Sequence, residues 1–124
     1  MNRIDLENRL INLAVDIDEL TERCYPLRTR PHLIDQIRRA STSSALNYAE
    51  AQSSATDRDF IHKLSLVLKE LRETHVCLRI IERITKDSDS TKQVLNETDE
   101  MIRIFHASRD TVVNRIRNQA QKKD

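Results

Sequence analysis

The chain has 124 residues and a formal net charge of +1, with no glycine, two prolines and 3% aromatic residues. Because glycine allows positive φ angles and close backbone approach to phosphates, its absence excludes dinucleotide fingerprints, phosphate-binding loops and nucleophile elbows. A content of 38% hydrophobic and 33% charged residues predicts amphipathic helices packed into a single domain over residues 1–124.

The first two helices are predicted over residues 3–24 and 31–52. In the first, apolar residues recur in steps of four and three, which places them along one helix face: Leu6, Leu10, Leu13, Ile17, Leu20 and Cys24. Asn2 is the predicted N-cap of this helix, since its side chain can accept a hydrogen bond from the first turn. Proline suits the first turn of a helix, so Pro31 is predicted to begin the second.

Two further helices are predicted over residues 57–86 and 91–118. Thr56 is the predicted cap of the third helix, whose inner stripe has the most regular spacing in the chain: Phe60, Leu64, Val67, Leu71, Thr74, Leu78 and Ile81. Ser90, with Gln93 three residues later, is the predicted capping box of the fourth helix, and the polar tail is expected to fray. Four helices with short connections predict an all-α, up-down-up-down four-helix bundle.

The third helix carries a second series with the same spacing on a different face: Leu66, Glu70, Glu73, Cys77, Ile80 and Ile84. A bundle buries only the face of each helix that points to its centre, so the apolar members of this series require another cover. A second copy of the chain is the simplest cover, which predicts a homo-oligomer interface formed by Leu66, Cys77, Ile80 and Ile84. The alternative is that the fourth helix or its loop covers them within one chain.

Acidic and basic residues are segregated along the chain. Residues 1–22 hold six acidic and two basic residues, whereas residues 23–39 hold five basic and one acidic, and residues 101–124 hold six basic and two acidic. Four arginines are predicted to form a basic rim that attracts the phosphates of RNA or DNA: Arg28, Arg30, Arg38 and Arg39. The alternative is that acidic residues of the same assembly neutralise them, with Arg38 or Arg39 paired to a carboxylate.

A set of residues across the second and third helices resembles a known family. It begins with Gln36-Ile37-Arg38-Arg39-Ala40-Ser41, continues with Ser43, Asn47, Ala49 and Glu50, and ends with Asp59-Phe60-Ile61, Leu71, Glu73 and Thr74. This pattern resembles the bacterial four-helix-bundle family of ribosomal RNA intervening-sequence proteins, to which the accessory protein of diversity-generating retroelements is related. The resemblance implies a ring-like homo-oligomer, often a pentamer, without catalysis. It also implies RNA, DNA or a reverse transcriptase as a partner.

Sites for metals, cofactors and nucleophiles find little support in the residue spacing. Only Asp59 and His62 have the acid-x-x-His spacing of di-metal bundles, and His62 lies off the inner stripe. No catalytic residue, metal ligand or cofactor is therefore predicted, and Cys24 and Cys77 are expected to be buried, reduced thiols. No apolar run approaches the roughly 18 residues of a membrane span, so a cytoplasmic protein without a membrane partner is expected.

We therefore predict a non-enzymatic, homo-oligomeric interaction module that contacts nucleic acid, or a nucleic-acid enzyme, nonspecifically through basic surfaces. The low aromatic content disfavours recognition by base stacking, so such contact is expected to be electrostatic and salt-sensitive. The alternative hypothesis is a purely protein-binding scaffold without nucleic-acid contact.

Overall fold

The computed structural model describes residues 2–86 and 88–122. These residues form α1 (Arg3–Arg23), a 3-10 turn (Tyr25–Leu27), α2 (Pro31–Ala51), α3 (Asp57–Thr85) and α4 (Asp89–Lys122). Within this described part of the chain no strand is present, and no helix is long and apolar enough to cross a membrane. Helices α1 and α3 each pack against both α2 and α4, so α1 and α3 lie at opposite corners. The predicted all-α four-helix bundle is confirmed.

Side-chain caps begin α1 and α3 where the sequence predicted them. In α1 the Asp5 N–H donates to Asn2 Oδ1 at 2.9 Å, and the Asn2 N–H donates to the Asp5 carboxylate at 3.4 Å. The two bonds form a capping box. In α3 the Asp59 N–H donates to Thr56 Oγ1 at 3.1 Å. Each cap satisfies a backbone donor that has no partner within the first turn of a helix.

Helix α4 is longer at both ends than the sequence predicted. It begins at Asp89, and the Ser88 hydroxyl accepts a hydrogen bond from the Thr91 N–H at 3.3 Å, so the cap predicted at Ser90 is wrong. At its other end α4 continues to Lys122, because the tail contains good helix formers and no helix breaker. The last two residues of the tail lie outside the described residues.

The core is built from the four-three stripes of all four helices. Its largest fully buried side chains are mostly aliphatic and include Leu10, Ile17, Ile37, Leu64, Leu71, Leu78, Met101 and Phe105. The Tyr48 and Phe105 rings meet edge to face, with their centroids 4.9 Å apart. The buried Ser44 hydroxyl donates to Ser41 O at 2.7 Å, so this polar side chain has a hydrogen-bond partner in the interior of the bundle.

Ion pairs and a histidine–carboxylate contact join neighbouring helices around the outside of this core. Arg9 of α1 pairs with Glu97 of α4 and, at 3.2 Å, with Glu100 of the same helix. Between α3 and α4, His75 Nε2 lies 2.7 Å from Asp99 Oδ1. These contacts join α4 to α1 on one side and to α3 on the other.

Candidate interaction surfaces

Arg38 is held against the carboxyl-terminal part of α1. Its Nε atom donates to Thr21 Oγ1 at 2.9 Å and lies 3.0 Å from Asp18 Oδ1, while Nη2 lies 3.4 Å from a carboxylate oxygen of Glu22. The Arg38 side chain remains 36% exposed. The pairing with first-helix carboxylates that the sequence left as an alternative is therefore present for Arg38, and it joins two helices of one chain.

The other three predicted arginines lie in two places. Arg28 stacks on the ring of Tyr25, with its guanidinium carbon 4.9 Å from the ring centroid. Arg30 precedes α2 and donates from Nη1 to Pro26 O at 3.0 Å. Arg39 is exposed on α2, where it donates to a glutamine one turn earlier at 3.1 Å. Arg39 follows Arg30 by nine residues, and nine residues of helix rise by about 13 Å along the helix axis. The arginines of the turn and the arginines of α2 therefore do not meet at one point.

The four residues predicted for an oligomer interface do not share one exposed surface. Cys77 is only 6% exposed and belongs to the core, and Ile84 is partly buried against that core. Leu66 is half-buried, whereas Ile80 is 44% exposed. The expectation that Cys77 needs cover from a second copy is wrong, because Cys77 belongs to the core of its own chain. Whether Leu66, Ile80 and Ile84 lie in an interface stays a prediction.

An exposed apolar pair on α3 includes a residue that the sequence analysis did not select. Val76 lies one turn before Ile80 and is 45% exposed. Arg79 and Arg83 flank this pair, and the four residues line a shallow cleft of about 180 Å³. We call these four residues the α3 ridge. The signal for Val76 was its spacing of four residues from Ile80.

A second apolar surface lies between α1 and α2. It is a groove of about 460 Å³ lined by Ile11, Ala14, Val15, Asp18, Glu19, Thr42, Ala45 and Leu46, which we call the α1–α2 groove. Ile11 and Val15 are exposed on the α1 side, and Leu46 is 59% exposed on the α2 side. This surface was not predicted, because in the first two helices only the inner stripe was considered, although Ile11 and Val15 are also four residues apart.

Glu70 of α3 contains a carboxylate oxygen that the protein leaves unpaired. Its Oε2 atom is buried and has no hydrogen-bond partner among the described residues. Burial raises the pKa of Glu70, and the charge of Glu73 and a side-chain hydrogen bond with Glu73 raise it further, while Lys69 and Arg39 act in the opposite direction. The contact with Glu73 still leaves the Oε2 atom without a partner. Burial also raises the pKa of the Cys77 thiol, with a further contribution from Glu73, so the thiol is not activated as a nucleophile.

Histidines and cysteines are dispersed over the bundle. No group of three or more His, Cys, Asp or Glu side chains within residues 2–86 and 88–122 is placed to hold a metal ion. His62 is exposed, and His106 Nε2 lies 2.6 Å from Arg72 Nη2. Both cysteines are free thiols; Cys77 is buried as predicted, and Cys24 is only half-buried.

A family model and a solved structure match most of the chain. The family model for the 23S rRNA-intervening sequence protein matches residues 3–107. A crystal structure from Bacteroides thetaiotaomicron, of a protein with unknown function from the S23 ribosomal protein family, shares the fold with a TM-score of 0.77. The two chains are 24% identical, over 89% of this chain and 99% of that chain, and no curated protein matches. This chain belongs to the 23S rRNA-intervening sequence protein family.

Proposed function

We propose that this protein is a non-enzymatic, homo-oligomeric module that binds other macromolecules through the surface of its helical bundle. The observation that carries the proposal is the presence of two separate exposed apolar surfaces, the α1–α2 groove and the α3 ridge. Removing apolar surface from water contributes roughly 25 cal/mol per Å², so such surfaces favour association. The ring-like assemblies implied by the family resemblance would cover these surfaces in every copy.

Sedimentation equilibrium at micromolar protein concentrations tests this proposal. We expect a particle mass that is a whole-number multiple of the 14.5 kDa protomer mass. The family resemblance predicts five times that mass. A particle of 14.5 kDa throughout the micromolar range would contradict self-association. Multi-angle light scattering on the same samples gives a second mass from a different physical measurement.

A second proposed function is contact with RNA, DNA or a nucleic-acid enzyme through the turn between α1 and α2. Tyr25 is 73% exposed and Arg28 stacks on its ring, so an aromatic face and a cation are presented together. Arginine attracts phosphates, and the Tyr25 ring adds one stacking face to a contact that is mainly electrostatic. Arg38 is left out of this proposal because carboxylates of α1 already surround its guanidinium group.

Gel-shift titration with single-stranded RNA tests the second function. We expect binding at about 50 mM salt that weakens strongly at about 200 mM, because phosphate contacts release counterions. The double variant Tyr25→Ala with Arg28→Ala should weaken binding, whereas Arg117→Ala, at an exposed position near the end of α4, serves as the control. Absence of any shift near 50 mM salt would remove this function and favour the purely protein-binding scaffold.

A further inference from the structure

The α1–α2 groove and the α3 ridge have matching residue spacing. Ile11 and Val15 are four residues apart on α1, and Val76 and Ile80 are four residues apart on α3. Each pair therefore rises along its helix by one turn, about 6 Å. Rows of side chains spaced by four residues interdigitate in the commonest class of helix packing. Leu46 of α2 provides the second wall that turns the α1 row into a groove.

The charges beside the two surfaces are opposite. Asp18 and Glu19 line the groove, whereas Arg79 and Arg83 flank the ridge. Asp18 already pairs with an arginine of α2. The side chains of Glu19, Arg79 and Arg83 make no ion pair or hydrogen bond with the rest of the described chain. These three charges are available to a second molecule, and opposite charges at an interface set its orientation.

We propose that the α3 ridge of one copy docks into the α1–α2 groove of the next copy, in a head-to-tail contact. This inference rests on the homo-oligomer proposed above and names the two faces that would form it. Because α1 and α3 lie at opposite corners of the bundle, one copy can use both faces at once. A head-to-tail contact closes into a ring when its rotation divides a full turn.

Contact between like surfaces is disfavoured by charge. Two ridges packed together would bring Arg79 and Arg83 against their own copies, and two grooves would do the same with Asp18 and Glu19. Like charges brought together at an interface oppose association. The ridge-to-groove contact instead places the arginines beside the carboxylates, so the head-to-tail arrangement is the one that the charges favour.

Complementation between two blocked variants tests this contact. Val15→Lys with Leu46→Lys blocks the groove, because the lysines oppose the arginines of the ridge, and Val76→Glu with Ile80→Glu blocks the ridge, because the glutamates oppose the acidic edge of the groove. All four positions are exposed, so we expect helix content by circular dichroism to be retained. Each variant alone should sediment as a 14.5 kDa single chain, because one of its two faces is lost. An equal mixture should form particles of at least twice that mass, because one intact groove meets one intact ridge.

A matched control adds the same charge elsewhere on the bundle. Ala107→Glu with Asn114→Glu matches the ridge variant, and Ala107→Lys with Asn114→Lys matches the groove variant. Both positions are exposed on α4, and both controls should leave the wild-type mass unchanged. If the wild type assembles and either blocked variant keeps the wild-type mass, or the mixture stays as single chains, the head-to-tail contact is wrong while the homo-oligomer stands. A wild type that sediments as a single chain overturns the homo-oligomer and this contact together.

Charge reversal tests the same contact without placing carboxylates in its apolar centre. Arg79→Glu should weaken association about tenfold at low salt, since it opposes the acidic edge of the groove. Adding Glu19→Arg to the same chain should restore part of that loss, because the opposite charges again face each other. Association that is indifferent to both substitutions would contradict the contact.

Discussion

Helix α2 packs between α1 and α3, and the polar and charged groups on its two sides are paired differently. Toward α1, the guanidinium group of Arg38 meets the Thr21 hydroxyl and the Asp18 carboxylate at about hydrogen-bond distance. On the α3 side, the charge of Arg39 acts to lower the pKa of Glu70. The buried Oε2 atom of Glu70 nevertheless has no hydrogen-bond partner among the described residues. The α3 side also has local pairing, between Lys63 and Glu50 and between Gln36 and Glu73. It differs from the α1 side in that it carries a buried polar atom without a described partner.

This difference explains part of the charge segregation in the sequence. Carboxylates of the acidic α1 pair with Arg38 of α2, so opposite charges of the two segments meet within one chain. A hydrogen bond adds modestly to the free energy of unfolding, whereas a buried polar atom without a partner keeps the full cost of its removal from water. Stability should therefore fall when the α1 side is disrupted and rise when the α3 side is relieved.

The largest expected effect comes from a substitution in the hydrophobic core that both sides of α2 share. Ile37 of α2 is fully buried. We expect Ile37→Ala to lower the free energy of unfolding by about 2–5 kcal/mol, through lost burial and the cavity that remains. Urea denaturation measures this change. His32→Ala, at an exposed position of the same helix, is the control and should shift the value by less than about 0.5 kcal/mol.

Substitutions of the adjacent residues Arg38 and Arg39 compare the α1 side of α2 with its outer face. We expect Arg38→Ala to lower the free energy of unfolding by about 1–2 kcal/mol, from the hydrogen bond to Thr21 and two partly exposed ion pairs. Arg39→Ala should change it by less than about 0.5 kcal/mol, because that side chain is exposed. The ion-pair share of the Arg38 effect should shrink at high salt. Equal losses for the two variants would contradict the asymmetry of the helix.

Apolar spacing predicted the inner faces of the bundle because that information is local to each helix. Leu10 and Leu71, for example, lie at inner-stripe positions and are fully buried. The cover of Cys77 was not predictable in the same way, since it depends on α3 packing against α2 and α4 together. The groove beside Ile11 and Val15 was missed for the same reason, because it exists only when α1 and α2 are adjacent.

Charge and turn geometry were the parts that the sequence left undecided. Adjacent residues on a helix point about 100° apart, so the sequence could separate Arg38 from Arg39 but not say which one meets α1. At the end of α3, Lys86 takes a left-handed conformation with φ of 50°, a region that glycine usually occupies. No glycine marks this turn, and the next cap was predicted at Ser90 instead of Ser88, where the structure places it.

Relief of the α3 side is expected to give a smaller effect of opposite sign. Glu70→Gln should raise the free energy of unfolding at neutral pH by up to about 1 kcal/mol, because an amide is less costly to bury than a carboxylate. Thermal unfolding measures the change. Glu82→Gln, on the same helix, is the control for the loss of one negative charge. A loss of stability in Glu70→Gln would mean that the carboxylate makes a favourable contact.

The same carboxylate predicts a pH dependence. Burial, reinforced by Glu73, raises the pKa of Glu70 above its ordinary value of 4.5 in the folded protein. The folded chain then binds this proton more tightly than the unfolded chain, so stability falls as pH rises from 4.5 through the raised pKa. Glu70→Gln removes this component, and its advantage in Tm over the wild type should grow across that window. An advantage that does not vary with pH would contradict the buried carboxylate.

The smallest effect is expected at Ser44, in the middle of α2 between its two sides. The side chain is fully buried and its hydroxyl donates to Ser41 O, a carbonyl of its own helix. Ser44→Ala loses that bond but gains helix propensity, so we expect a change within about 0.5 kcal/mol in urea denaturation. Ser44→Leu instead adds volume where α2 meets its neighbours and should cost about 1–3 kcal/mol. A large loss in Ser44→Ala would mean that the hydroxyl, rather than the small volume, fixes the position of α2.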